Sequence, residues 1–498
     1  MLELNYFIFP LYTLLVLLSI LGYGYFFSNR FVKNFYLLDL KNLFFIQGLF
    51  FIGLVGALIN LIFPLSNQLS LLILFLGLIF YFYFRKKSFN KNEFFFIFFI
   101  IFLSSFLSIH AGINDDFNYH LDTINNYKSK TLFEIEHSRR ISYNSFWLFL
   151  HSITTFNLFT STFYVLGSVL YSITIYDSFN LYKKSIKEKN YYIGICSFFV
   201  LVFLLGVINK YKEFGTDVPG FILSIYVLYI LFYNSFDRKN EYTTEILFII
   251  LILAFVSFII KITNTLIFLY LIVILFRVDY KKLNLTYLLI PFTIIFIWFF
   301  QNYNISGCLV WPQELSCFKN NELAIKEAYF IESFAKGDIN TNINVNGFEW
   351  IKIWLNNHLG KMLEIYLTYL ILLILPILYF YFKSKEKIFM FNIYNDNKIY
   401  LVLLSSGLFS NIIWFLIAPA YRFGLFYNLS IIILFLLPFW IRLIKKYTKF
   451  IIIYSQILIV VVSMYFFVEN IFKYSWYNKR YDIWPPILNE EIIDRKNH

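Results

Sequence analysis

Fourteen long apolar runs separated by short polar joints leave this chain few folds to choose from. They lie near 6–27, 43–64, 69–84, 93–110, 158–176, 191–209, 218–234, 244–260, 263–276, 284–300, 362–382, 399–418, 423–440 and 448–468, with 263–276 the weakest. A helix needs about 20 mostly apolar residues to cross the hydrocarbon of a bilayer, which is the order of these runs. The runs are continuous, whereas the strands of a membrane β-barrel alternate in polarity, so a barrel is excluded. The expected fold is all-α: a polytopic integral membrane protein of about 14 transmembrane helices. With 59% apolar and only 14% charged residues, a water-soluble enzyme is excluded too, since soluble domains carry about 25% charged residues.

A net charge of +12, from 42 Lys and Arg against 30 Asp and Glu, would suit a nucleic-acid binder if the cations shared one solvated face. They fall instead in short clusters between the apolar runs. Seven alternate loops, 28–42, 85–92, 177–190, 235–243, 277–282, 383–398 and 441–449, hold 24 of the 42 cations. With Glu93 and Glu245 counted at their edges these loops hold ten of the 30 acids, so that side is +14 and the other −2. By the positive-inside rule the first side is cytoplasmic, and both termini lie outside. The start has no basic n-region and reads as a first span, not a cleaved signal peptide. Three units are expected: an N-terminal three-span addition (1–92), a membrane core (93–440) with outer loops 111–157 and 301–361, and a last span with an outer tail (441–498).

The unusual polar residues all fall on the outer side. After the fourth run come Asn114, Asp115, Asp116, Phe117 and, soon after, His120. Adjacent carboxylates at an interface repel, which raises at least one pKa; the pair serves as a base, as ligands for a divalent cation, or as a helix cap. Arg139 and Arg140 follow, facing either a substrate or lipid phosphates, and then an apolar stretch from Phe146 to about Phe156 that reads as an amphipathic helix with Trp147 at headgroup depth. The next outer joint carries Lys212 and Asp217, the latter a helix-start acid or a catalytic one. Lys261 stands between two apolar runs with almost no loop, where its amine snorkels to water or meets a bound anion. Arg422 is the only cation in its joint, beside Pro419 and Gly424, and its planar fork suits a phosphate or snorkels to the surface.

The largest loop, 301–361, opens with Cys308 and Cys317, nine residues apart around Trp311 on the side expected to be oxidising, while Cys196 lies inside a run. A Cys308–Cys317 disulfide is the expectation. The loop ends at Phe348, Trp350 and Trp354, read as a second interfacial helix. Nucleotide-binding, zinc and nucleophile-elbow signatures are missing from the sequence.

In order, Asp116 with Tyr119-His120-Leu121, Arg139-Arg140-Ile141-Ser142-Tyr143-Asn144-Ser145-Phe146-Trp147, Thr216-Asp217-Val218-Pro219, Ser306-Gly307 before Trp311-Pro312, and Arg422-Phe423-Gly424 resemble a group of bacterial polytopic proteins related to the glycosyltransferase C superfamily. The likeness covers about 93–440. It implies transfer of a sugar from a polyprenyl-phosphate carrier to a glycan or lipid acceptor on the outer face of a bacterial inner membrane. It also implies an acid of the first outer loop as base or metal ligand, here Asp115 or Asp116, and a membrane-level cation for the carrier phosphate, here Arg422 or Lys261. An O-antigen polymerase or ligase shares that outer face. A flippase for lipid-linked glycans is the rival from another class, and it would place ionisable residues in mid-span, where almost none is found.

Overall fold

The computed structural model describes residues 2–32, 40–85, 91–107, 120–137, 141–158, 161–208, 211–238, 242–279, 281, 283–318, 322–337, 347–384 and 398–481. Helix occupies every one of the fourteen apolar runs, as residues with no polar side chains to spare must satisfy their backbone groups internally. Nine of the described helical segments are long and apolar enough to cross a membrane: Phe7–Phe31, Lys41–Asn60, Asn67–Phe84, Asp217–Phe236, Tyr287–Ser306, Trp350–Lys383, Lys398–Ile417, Tyr421–Lys446 and Thr448–Phe472. Tyr191–Gly206, Thr244–Ile260 and Ile262–Phe276 are apolar but shorter. The protein is an all-α membrane protein. Large apolar side chains such as Ile79, Phe98, Phe296 and Ile412 stay exposed on the outside of the bundle, where lipid tails replace water.

Two local expectations are corrected. The run at 158–176 becomes helix only at Leu166, continuing to Glu188, because Asn157–Leu158 and Ser161–Thr162 pair first as a minimal antiparallel hairpin. The short helix Phe146–Thr154 is not a surface helix: all nine residues are buried, Trp147 fully, beneath the helices Lys41–Asn60, Asn67–Phe84 and Thr244–Ile260. Its start is tied to neighbouring segments, with Ser145 Oγ donating to Ile260 O at 2.8 Å and Trp147 Nε1 to Glu213 O at 3.3 Å. Trp350–Trp354 leads into the next apolar helix, as expected, a π turn at Leu355–Leu359 carrying it straight into Gly360–Ser384.

The first three helices touch backbone to backbone. A Cβ on Gly22 would stand 2.0 Å from Gly77 O, and one on Gly24 1.8 Å from Phe44 O, so only glycine permits this approach. The same helices are tied to the rest by Tyr12 OH, which donates to Thr154 O at 2.9 Å, and by Phe27 stacked on Phe248.

The polar joints sort to two ends. At one, Arg85 Nη2 lies 2.7 Å from Glu93 Oε2, Tyr81 OH donates to Glu93 Oε1 at 2.8 Å, and Asp177 accepts the backbone N–H of Lys41 and Asn42, stabilising the start of Lys41–Asn60. At the far end of that helix Asn60 Nδ2 donates to Lys130 O, and Tyr127 beside it bonds Asn144, which also holds Asn302 and Trp298. There the joints around 144, 213, 261, 302 and 422 gather.

Candidate functional site

Each of three joints breaks an apolar helix at one charged residue. Asp217 opens the helix Asp217–Phe232, where its carboxylate meets the positive end of the helix dipole and Pro219 occupies a first turn that needs no N–H. Lys261 ends Thr244–Ile260 in extended conformation, φ −153° and ψ 120°, before the chain rewinds as the 3-10 turn Ile262–Leu266. Arg422 lies in the turn Tyr421–Gly424, fixed from outside by Trp354 Nε1 donating to Pro419 O at 2.7 Å.

These three charges meet. Asp217 Oδ1 is in direct contact with Lys261 Nζ, and its Oδ2 lies 4.0 Å from Arg422 Nε, so one carboxylate bridges two cations. The Lys261 ammonium sits over the Phe423 ring, 4.0 Å from its centroid. The Arg422 guanidinium lies against Phe334 at 5.5 Å and Phe423 at 5.4 Å, contacts that hold a flat cation flat. Among the described residues it has no hydrogen-bond acceptor, and its side chain is 40% exposed against 16% for Lys261 and 20% for Asp217. Burial, and after it the Arg422 charge, push Lys261 down from the ordinary lysine range, but the Asp217 carboxylate in direct contact holds the proton on the amine, so the two form an ammonium–carboxylate pair. Among the described residues, two cations against one carboxylate leave the site net positive, with Arg422 the most exposed of the three.

Other expected residues fall elsewhere. Asp115, Asp116, Arg139 and Arg140 lie outside the described residues. His120 is buried at the start of Leu121–Ser129, its ring near Phe214, three positions before Asp217. Lys212 is exposed in the same joint. Trp311 packs with Cys308 and Ala324 and meets the His137 ring edge-on at 5.0 Å. Cys308 and Cys317 are joined as a disulfide. Among the described residues no three His, Cys, Asp or Glu gather as a metal site.

The helix Glu322–Lys336 links these parts. Tyr143 OH donates to its Glu327 at 2.5 Å, its Phe334 covers Arg422, and its Lys336 lies over the Trp350 ring. None of these three contacts is visible in sequence, where Phe334 is one aromatic among many; Phe423 alone carries a signal, its adjacency to Arg422. Glu213 was missed as well. Fully buried, it accepts the N–H groups of Gly167 (2.6 Å) and Ser168 (2.9 Å) and the Tyr211 hydroxyl (2.6 Å), tying the joint before Asp217 to the start of Leu166–Glu188. Burial pushes its carboxyl up to about 7, with those hydrogen bonds opposing.

The family model described as a domain of unknown function, DUF8201, matches residues 7–429, from the first apolar helix to just past Arg422. No curated protein and no solved structure matches the chain. With Asp217, Lys261 and Arg422 all inside a match that spans most of its length, the chain belongs to the DUF8201 family.

Proposed function

We propose that this protein is a membrane glycosyltransferase that moves a sugar from a polyprenyl-phosphate carrier to an acceptor on the outer face of the cytoplasmic membrane, in cell-surface glycan assembly. In this reading the chain crosses the bilayer about fourteen times with both termini outside, the short helices included. The carrier phosphate meets Arg422 and Lys261, and an acid of the first outer loop, Asp115 or Asp116, takes the acceptor proton or holds a divalent cation.

The observation that carries the reading is the Asp217-bridged pair of cations at one end of an apolar helix bundle. A sugar phosphodiester carries a single negative charge, and fixed cations at headgroup depth bind it and hold the carrier in place for transfer. A guanidinium steadied by two rings, with no hydrogen-bond acceptor among the described residues, needs little rearrangement to do so. The pair sits at an end of helices and not midway along them, which favours chemistry on one face over a path through the bilayer.

The test uses purified protein in lipid with a panel of polyprenyl-phosphate sugars, following release of free polyprenyl phosphate. Release that is lost in Asp116→Asn and weakened in Arg422→Lys is the expected result. Pyrophosphate-linked oligosaccharides consumed in place of monosaccharide carriers would turn the reading to a polymerase or ligase, and no release from either would end it.

A further inference from the structure

We propose that Asp217 sets the charge this site accepts: one negative charge, as on a phosphodiester, in preference to two, as on a phosphomonoester or a pyrophosphate. The proposal rests on the reading that the Lys261–Arg422 pair receives a carrier phosphate, and deepens it by assigning Asp217 a role in selecting the ligand.

Asp217 faces both cations, Oδ1 in contact with Lys261 and Oδ2 4.0 Å from Arg422 Nε. What it does is subtract one charge from two. A monoanion arriving at Arg422 brings the cluster to neutrality, whereas a dianion leaves it with a net negative charge in a place where Asp217 and Lys261 are mostly buried and water screens poorly.

The division of labour between the cations points the same way. Lys261 is held by Asp217 and the Phe423 face and is the more buried of the two cations, so it adds charge from behind. Arg422 is steadied by Phe334 and Phe423 with its N–H groups unclaimed by any described residue. A guanidinium edge donates two parallel N–H bonds, and a phosphodiester carries two non-bridging oxygens that share a single charge. The geometry and the charge of one fork therefore match one diester.

The experiment measures equilibrium binding to the full chain in nanodiscs at pH 8 and fixed ionic strength, using farnesyl methyl phosphate as the monoanion and farnesyl phosphate and farnesyl diphosphate as the multiply charged probes. At that pH the monoester, with its second pKa at about 6, is a dianion. The expected result is tighter binding of the diester by the parent protein. Asp217→Asn should tighten the monoester by about tenfold or more and reverse the order, as removal of one neighbouring charge in a poorly screened site requires. Arg422→Gln should lose all three probes. A parent protein that prefers the monoester overturns the proposal without any variant, and so does a folded Asp217→Asn with an unchanged ratio. Binding that needs Arg422 but shows the wrong ratio overturns only the charge assignment; no Arg422-dependent binding of any probe removes the proposed function with it.

Discussion

Asp217 and Lys261 stand 44 positions apart in sequence and touch through carboxylate and ammonium at the point where one apolar helix begins and another ends. Each neutralises a charge that its helix end would otherwise leave beside hydrocarbon. Lys261→Met or Asp217→Asn alone strands the partner, and the expected cost is about 2 kcal/mol, less than for a fully buried pair because both side chains keep some water. The double variant should recover part of that loss. Thermal melts of the four proteins in nanodiscs measure the coupling, and strict additivity would mean that the contact carries no energy.

How much of this was legible beforehand follows from what each residue depends on. Hydropathy is local, so the apolar runs and the charged joints could be read directly; Lys261 and Arg422 stood out as isolated charges between such runs, and Asp217 as the acid just before Pro219. Their meeting could not be read, since it depends on how three helix pairs pack. The same holds for Glu213, which lies in sequence between Lys212 and Phe214 like any solvated acid, and for Phe146–Thr154, which is too short to span and suits an interfacial helix until the packing of its neighbours is seen to bury all nine residues. Asp115 and Asp116, chosen as the reacting acids, lie outside the described residues, so their part rests on sequence alone.

Glu213 gives the protein a pH dependence with a definite sign. Its folded value is pushed up to about 7 from an ordinary 4.5 by burial, so the folded chain keeps the proton over an interval in which the unfolded chain has lost it. The stabilisation is complete below about pH 4.5, declines as the pH rises through 7, and changes no further above that. Relative to Glu213→Gln, the parent should lose up to about 3 kcal/mol across this window. Melting curves of both proteins from pH 4.5 to 8 check it, and a parent that gains on the variant as pH rises would refute the assignment.

The disulfide offers a test of sidedness. Cys308 and Cys317 are bonded and Cys196 is buried inside Tyr191–Gly206, so a membrane-impermeant maleimide added to intact cells should label nothing until a reductant is present, then label the loop cysteines only. Reduction should also loosen the 307–318 turn by about 3 kcal/mol, the closure entropy of a loop this short, seen as faster proteolysis there. Labelling that requires permeabilised cells would place this loop on the cytoplasmic side and reverse the proposed orientation.

The covering helix Glu322–Lys336 makes the last prediction, because it is the element that holds Arg422 flat. Phe334→Leu keeps an apolar contact but removes the ring face, a loss of about 1 kcal/mol of cation–π attraction, so donor binding should weaken by about fivefold with the maximal rate little changed. Arg422→Lys gives up both the stacked plane and the paired hydrogen bonds and should weaken donor use by about tenfold or more. If Phe334 acts through Arg422, combining the two substitutions should be no worse than Arg422→Lys alone, since the lysine no longer uses the ring as the guanidinium does. Tyr143→Phe, which frees the other end of the same helix by removing its bond to Glu327, should reproduce a milder form of the Phe334 effect. Saturation curves for the four variants separate these outcomes, and losses from Phe334→Leu and Arg422→Lys that simply add would show that Phe334 contributes to the helix and not to the cation.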